Sequence, residues 1–139
     1  MKRFCLLHAK SDDDAKISQL LTIATVTIEC ASKGQPFTIT PGRDQFNARF
    51  KACGSWDTWA VEVATGVYYA TRQPLFHGFL VPSNRVGAGT AKIVEGALTA
   101  GKPVFVFRGD GTAAKVLAVQ CIDAKDWQTG WSLTIGQFA

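Results

Sequence analysis

Leu75-Phe76-His77-Gly78-Phe79-Leu80-Val81, followed after Pro82 by Ser83-Asn84-Arg85-Val86-Gly87-Ala88-Gly89-Thr90-Ala91, is the stretch whose reading decides the fold class of this chain. Its first part is apolar and strand-like, and its second part carries two glycines and opens a helix-like run that ends near Gly101. Strand, glycine turn and helix in that order form a unit suited to anions. Glycine lets a backbone approach a ligand closely, the first helical N–H groups have no partner inside the helix, and the helix dipole favours negative charge there. A phosphate-bearing, nucleotide-shaped ligand is the leading expectation.

Toward the N-terminus, Lys2 to His8 reads as a first strand, and Ser11-Asp12-Asp13-Asp14 supplies a capping residue with acids for a first helical turn. The helix expected next places Ile17, Leu20, Leu21, Ala24, Ile28 and Ala31 on one face and stops at Gly34. Its stretch Thr22-Ile23-Ala24-Thr25-Val26-Thr27-Ile28 would also suit a strand, because β-branched side chains are stiff in a helix. Pro36 to Pro41 alternates like a short strand and runs into the loop Gly42-Arg43-Asp44. Helix is expected from about Asp44 to Ala52, with a second start at Ser55 that aligns Trp56, Trp59, Ala60 and Val63. These tryptophans read as core or interface, with a base-stacking platform as the sharper alternative.

Beyond the turn, Thr90, Val94, Ala97, Leu98 and Gly101 are expected on the inner face of the helix, and Lys102 to Phe107 forms a strand apolar enough to be covered on both sides. Alternating strands and helices predict an α/β fold, a Rossmann-like three-layer sandwich with a mainly parallel sheet. The tail departs from that pattern. Lys115 to Asp123 and Gly130 to Ile135 are joined by a connection with no room for a helix, which predicts a C-terminal antiparallel hairpin on one sheet edge. Trp127, Trp131 and Phe138 then either cap the core or meet another subunit.

Length and composition set outer bounds. A chain of 139 residues and 15.0 kDa is read as one domain, residues 1–139. No stretch is long and apolar enough to span a bilayer, and the apolar run after Met1-Lys2-Arg3 is too short for a signal peptide. Cys5, Cys30, Cys53 and Cys121 stand far apart, with only His8 and His77 as other soft ligands, so neither a metal site nor a disulfide framework is expected. A reduced, cytoplasmic setting follows as the default. The net charge of +4 is mild and its lysines and arginines are scattered, which argues for solubility more than for a dedicated nucleic-acid surface.

Gly87-Ala88-Gly89-Thr90, ten further residues, and Gly101-Lys102-Pro103-Val104-Phe105 resemble the phosphate-binding unit of the SLOG superfamily. That group includes the Lonely-guy phosphoribohydrolases and DNA-processing proteins that bind single-stranded DNA, and nucleoside 2-deoxyribosyltransferases look similar over the same stretch. The likeness is strongest across the turn and, through element order alone, reaches Phe107. It implies a Rossmann-like fold and oligomers, and its likeness to the Lonely-guy enzymes and deoxyribosyltransferases implies a catalytic glutamate three positions after the threonine of the Gly-Thr pair. Here that position is Ile93. Glu95 lies about 200° around the helix from it and does not replace it geometrically.

Cleavage of an N-glycosidic bond needs a carboxylate beneath the anomeric carbon. The acids that could serve instead are Asp12, Asp14, Asp44 and Glu95, with helix capping as the plain alternative for the aspartates. Candidate ligand-binding residues are Gly42, Arg43, Ser83, Asn84, Arg85, Gly87, Ala88, Gly89, Thr90 and Ala91. Arg43 suits a bidentate grip on phosphate, and a surface ion pair is its alternative. His8 could act as an acid or base at the end of the first strand, whereas His77 reads as structural. Three functions follow, in order of preference. The first is binding of a nucleotide, nucleoside phosphate or nucleotide-derived signal. An N-glycosidic enzyme with a relocated carboxylate comes next, and single-stranded DNA binding through Arg43, Arg72 and Arg85 comes last. A homo-oligomer is expected, without cofactor or membrane.

Overall fold

The computed structural model describes residues 1–9, 12–42, 76–122, 125 and 130–139. The expected helices between Asp44 and Gly66, and the residues Arg43, Asp44, Trp56, Trp59, Arg72 and Trp127, lie outside them. In chain order the elements are β1 (Lys2–Leu6), α1 (Asp14–Ser32), β2 (Phe37–Pro41), β3 (Gly78–Val81), β4 (Arg85–Val86), α2 (Ala88–Thr99), β5 (Val104–Phe107), β6 (Ala113–Cys121) and β7 (Trp131–Ile135).

The start of α1 follows from its aspartates. Asp13 has extended backbone and its carboxylate accepts the Lys16 N–H at 2.8 Å, satisfying a donor the helix itself leaves open. Ile17, Leu20, Ala24, Thr27 and Ile28 form the buried stripe. The β-branched stretch is helical because its threonines find local partners. The hydroxyls of Thr22, Thr25 and Thr27 donate to the carbonyls of Ser18, Leu21 and Ile23 at 3.1, 2.7 and 3.0 Å. The apolar stripe then places the helix against the sheet, and tertiary burial outweighs a weak local preference for strand.

Seven described strands run in the order β2-β1-β3-β5-β6-β7-β4. The pairs β1–β2, β1–β3 and β3–β5 are parallel, with Leu6 opposite Leu80 and Val81 opposite Val106. The pairs β5–β6, β6–β7 and β7–β4 are antiparallel. The described sheet is therefore mixed, partly rather than mainly parallel. The cause is the C-terminal hairpin. It forms as expected, but β6 pairs along β5 (Val106 opposite Ala114) and so continues the sheet, while β7 gathers β4 onto its far side. A bulge between Val116 and Ala118 shifts the β6–β7 register.

Successive residues of β1 enter two different clusters, as strand geometry requires. Phe4 and Leu6 pack with Leu20, Ala24 and Ile28 of α1, together with Leu80 and Phe107. Cys5 and Leu7 pack with Ala91, Ile93, Val94 and Ala97 of α2, together with Phe79, Val81, Val104 and Val106. The buried face of α2 thus includes Ala91 and Ile93, while Thr90, expected inward, is half-buried. At the amino ends of the strands the Lys102 ammonium donates to the Phe76 carbonyl oxygen and ties β5 to the entry of β3. Its partial burial holds its pKa below the usual lysine value. His77 is exposed, just ahead of β3 and not within it. It is structural nonetheless, because its Nδ1 accepts the Arg3 N–H at 3.0 Å and its own N–H donates to the Arg3 carbonyl at 2.7 Å.

Candidate functional site

The carboxyl ends of β1, β3 and β5 open into a cleft of about 740 Å³. Its floor holds Leu7, Val81, Val106 and Phe107. One wall is the first half of α1, where Lys16, Leu20 and Ile23 recur at helical spacing, with Asp12 in the loop just before it. The facing side holds Ser83 to Gly87, Thr90, Ile135 and Phe138. Crevices outside the carboxyl ends of such strands are where open α/β sheets bind ligands.

Of the residues anticipated for a ligand, Ser83, Asn84, Arg85, Gly87 and Thr90 line this cleft. Ala88, Gly89 and Ala91 follow in α2 but are not part of its lining; Ala91 is buried in the core. Gly42 is buried at the end of β2 and does not line the cleft. The turn differs from the simple strand–turn–helix unit in one respect. Arg85 and Val86 form β4 and pair with Ser132 and Trp131, and the Leu133 N–H donates to the Asn84 carbonyl at 2.8 Å. The C-terminal hairpin therefore braces the turn. Gly87 caps α2 at φ −81°, ψ 171°, a conformation any residue adopts, so backbone freedom is not what this position uses glycine for. No side chain caps α2, and its first helical hydrogen bond runs from the Ala91 N–H to the Gly87 carbonyl at 2.9 Å. The amides of Ala88, Gly89 and Thr90 precede that bond, at the positive end of the helix dipole.

The candidate acids separate. Asp12 lines the cleft, and its Oδ2 accepts the Ala9 N–H at 3.1 Å, so it shapes the β1–α1 loop. Asp14 is exposed in the first turn of α1 and does not line the cleft. Glu95 is exposed on α2 and is likewise absent from the lining. Ile93, where the resemblance implies a glutamate, is 2 % exposed and packed in the core with Phe79 and Val94. That side of α2 faces the sheet and not the cleft. His8 lines the cleft half-buried, and its Nδ1 lies 3.0 Å from the Ala9 carbonyl. A carbonyl oxygen only accepts, so this nitrogen carries the proton.

Sequence reasoning missed Lys16, Arg108 and Phe138. Lys16 follows the cap by one turn and Arg108 directly follows β5, so both sit where carboxyl-end ligand residues sit; that position was the available signal. Phe138 belongs to the tail, and only the sheet order brings it to the cleft. The Arg108 guanidinium carbon lies 3.4 Å from the centre of the Phe138 ring. Three cationic side chains, Lys16, Arg85 and Arg108, face one acid, Asp12, among the described lining residues.

Among the described residues no group of three histidines, cysteines or acids could hold a metal ion, and no helix is long and apolar enough to cross a membrane. No family model, curated protein or solved structure matches the chain.

Proposed function

We propose that this chain binds a nucleotide, nucleoside phosphate or nucleotide-derived signal in the cleft at the carboxyl ends of β1, β3 and β5. The observation that carries the reading is a cationic, mixed-polarity lining. Lys16, Arg85 and Arg108 line the cleft together with the hydroxyl-bearing Ser83 and Thr90 at the start of α2, while Leu20, Ile23, Ile135 and Phe138 offer apolar surface for a base. About 740 Å³ falls within the ordinary range for small-molecule sites and exceeds what inorganic phosphate alone needs. The reading includes a three-layer Rossmann-like sandwich, supported by the two core clusters that place α1 and α2 residues against alternate residues of β1. It also includes kinship with the SLOG superfamily, whose phosphate-binding turn Gly87 to Thr90 resembles, a cytoplasmic setting and a homo-oligomeric assembly.

An N-glycosidic enzyme remains the second reading, and Asp12 favours it as the acid that lines the cleft. Burial of Ile93 and the outward position of Glu95 weigh toward binding. Single-stranded DNA binding is third, with Arg85 alone of its three arginines among the described residues.

Native mass spectrometry and base-release chromatography on the protein incubated with nucleosides, nucleoside monophosphates, cyclic nucleotides and ADP-ribose derivatives test the proposal. Retention of one intact ligand is expected. Free base, abolished by Asp12→Asn, would replace binding by the enzymatic reading. Failure of every compound in the panel to bind would sink the proposal.

A further inference from the structure

We infer that Arg108, placed over the Phe138 ring, grips the phosphoryl group of the bound molecule, so that the cleft selects a nucleoside monophosphate over the same nucleoside without phosphate. This deepens the nucleotide-binding proposal and rests on it. The two side chains come from distant parts of the chain, and each is fixed by its own backbone. Arg108 follows β5 in a tight turn, where its N–H donates to the Thr112 carbonyl at 2.9 Å and its carbonyl accepts the Gly111 N–H at 3.0 Å. Phe138 is bracketed by tail hydrogen bonds to β6, from the Gly136 N–H to the Lys115 carbonyl at 2.9 Å and from the Ala139 N–H to the Ala113 carbonyl at 3.0 Å. Between these anchors the guanidinium lies 3.4 Å above the ring centre, and both residues line the cleft.

Stacking on an aromatic ring occupies one face of a guanidinium and leaves the N–H donors around its edge, the edge that meets phosphate bidentately. Asp110, the acid in the same turn, accepts the Thr112 N–H and hydroxyl through Oδ1 at 2.9 and 2.6 Å. Its carboxylate is thus anchored to Thr112, and Arg108 reaches it through charge. The ring also restricts the arginine's rotamers before any ligand arrives, which reduces the entropy lost on binding. Arg108 is thereby a ligand-contacting residue, and Phe138 is a positioning residue acting through it.

The experiment is isothermal titration of the full chain with adenosine, guanosine, cytidine, uridine and thymidine and with their 5′-monophosphates. Each is run on the wild type and on Arg108→Gln, Arg108→Lys, Phe138→Leu and Phe138→Tyr, with circular dichroism to confirm folding. Arg108 is exposed in its turn, so its replacement by Gln leaves the core intact. The wild type is expected to prefer one monophosphate over its nucleoside at least tenfold. Arg108→Gln should collapse that ratio toward one while changing nucleoside affinity little, and Arg108→Lys should restore it in part, since a lysine keeps the charge but not the fork. Phe138→Leu should lower the ratio and Phe138→Tyr should preserve it, a pattern that simple loss of fold does not produce. A wild-type preference that survives Arg108→Gln overturns this inference and leaves the nucleotide-binding proposal standing. Absence of binding by any monophosphate overturns this inference alone, and the nucleotide-binding proposal falls with it only when the cyclic nucleotides and ADP-ribose derivatives also fail to bind.

Discussion

Ile93 shows how one side chain constrains chemistry. A glutamate there would place a carboxylate among Phe79, Val94 and Val104 with no cation in that cluster. Ile93→Glu is expected to destabilise the protein by at least about 3 kcal/mol, from lost apolar burial plus an unpaired buried charge, and to release no base. Urea denaturation followed by tryptophan fluorescence measures the first, and base-release chromatography the second. Gly78 is constrained by space. A Cβ there would lie 3.0 Å from the Phe4 ring and 3.1 Å from the Pro103 carbonyl oxygen, which is backbone and cannot swing aside. Gly78→Ala should therefore cost roughly 1–3 kcal/mol by overpacking, visible as a lower denaturation midpoint at unchanged slope. Asp110 is fully exposed, yet its hydrogen bonds from the Thr112 hydroxyl and N–H, with a smaller contribution from the Arg108 charge, hold its pKa below the usual aspartate value. With the folded-state value depressed, its stabilising effect is present above the ordinary carboxylate range and is lost as pH falls through the folded-state value. Carboxyl-carbon NMR titration should show this, and Thr112→Val should move the midpoint upward.

At the scale of elements, α1 and α2 begin differently although both follow strands that enter the cleft. Asp13 caps α1 with its side chain, whereas Gly87 offers none to α2. Asp13→Ala is expected to lower stability by about 1 kcal/mol through an unsatisfied helix N–H, measured by thermal melting, with Asp13→Ser recovering most of it. The acidic run was legible as a helix start because capping is a local interaction. Its β-branched sequel was ambiguous because helix and strand differ there by less than tertiary burial supplies, and the hydroxyls of Thr22, Thr25 and Thr27 resolve it within the helix. The short strand β4 was not legible. Two residues carry no periodicity, and Arg85 and Val86 become a strand only because β7 arrives beside them.

For the whole molecule, burial makes Cys5 a reporter of global unfolding. It has no exposed surface, and desolvation raises its thiol pKa far above the ordinary range, whereas Cys30 and Cys121 are exposed. Thiol labelling of the native protein with peptide mapping should modify Cys30 and Cys121 within minutes and Cys5 only as fast as the fold opens, with a rate that drops when the cleft is saturated by a ligand. The sequence by itself determined the first strand, the capped helix after it, the hairpin, and the Ser83 to Thr90 turn at a helix start, since each is written in neighbouring residues through capping, alternation or glycine placement. It also placed Ser83, Asn84, Arg85, Gly87 and Thr90 at one crevice, because the carboxyl ends of adjacent parallel strands meet there. Only the tertiary structure decided that β6 extends the sheet from β5, that β7 braces the turn through β4, and that Lys16, Arg108 and Phe138 complete the cleft. Those outcomes depend on strand order, and strand order is settled by which apolar faces bury one another across the sheet, a contest between residues far apart in the chain that no local pattern records.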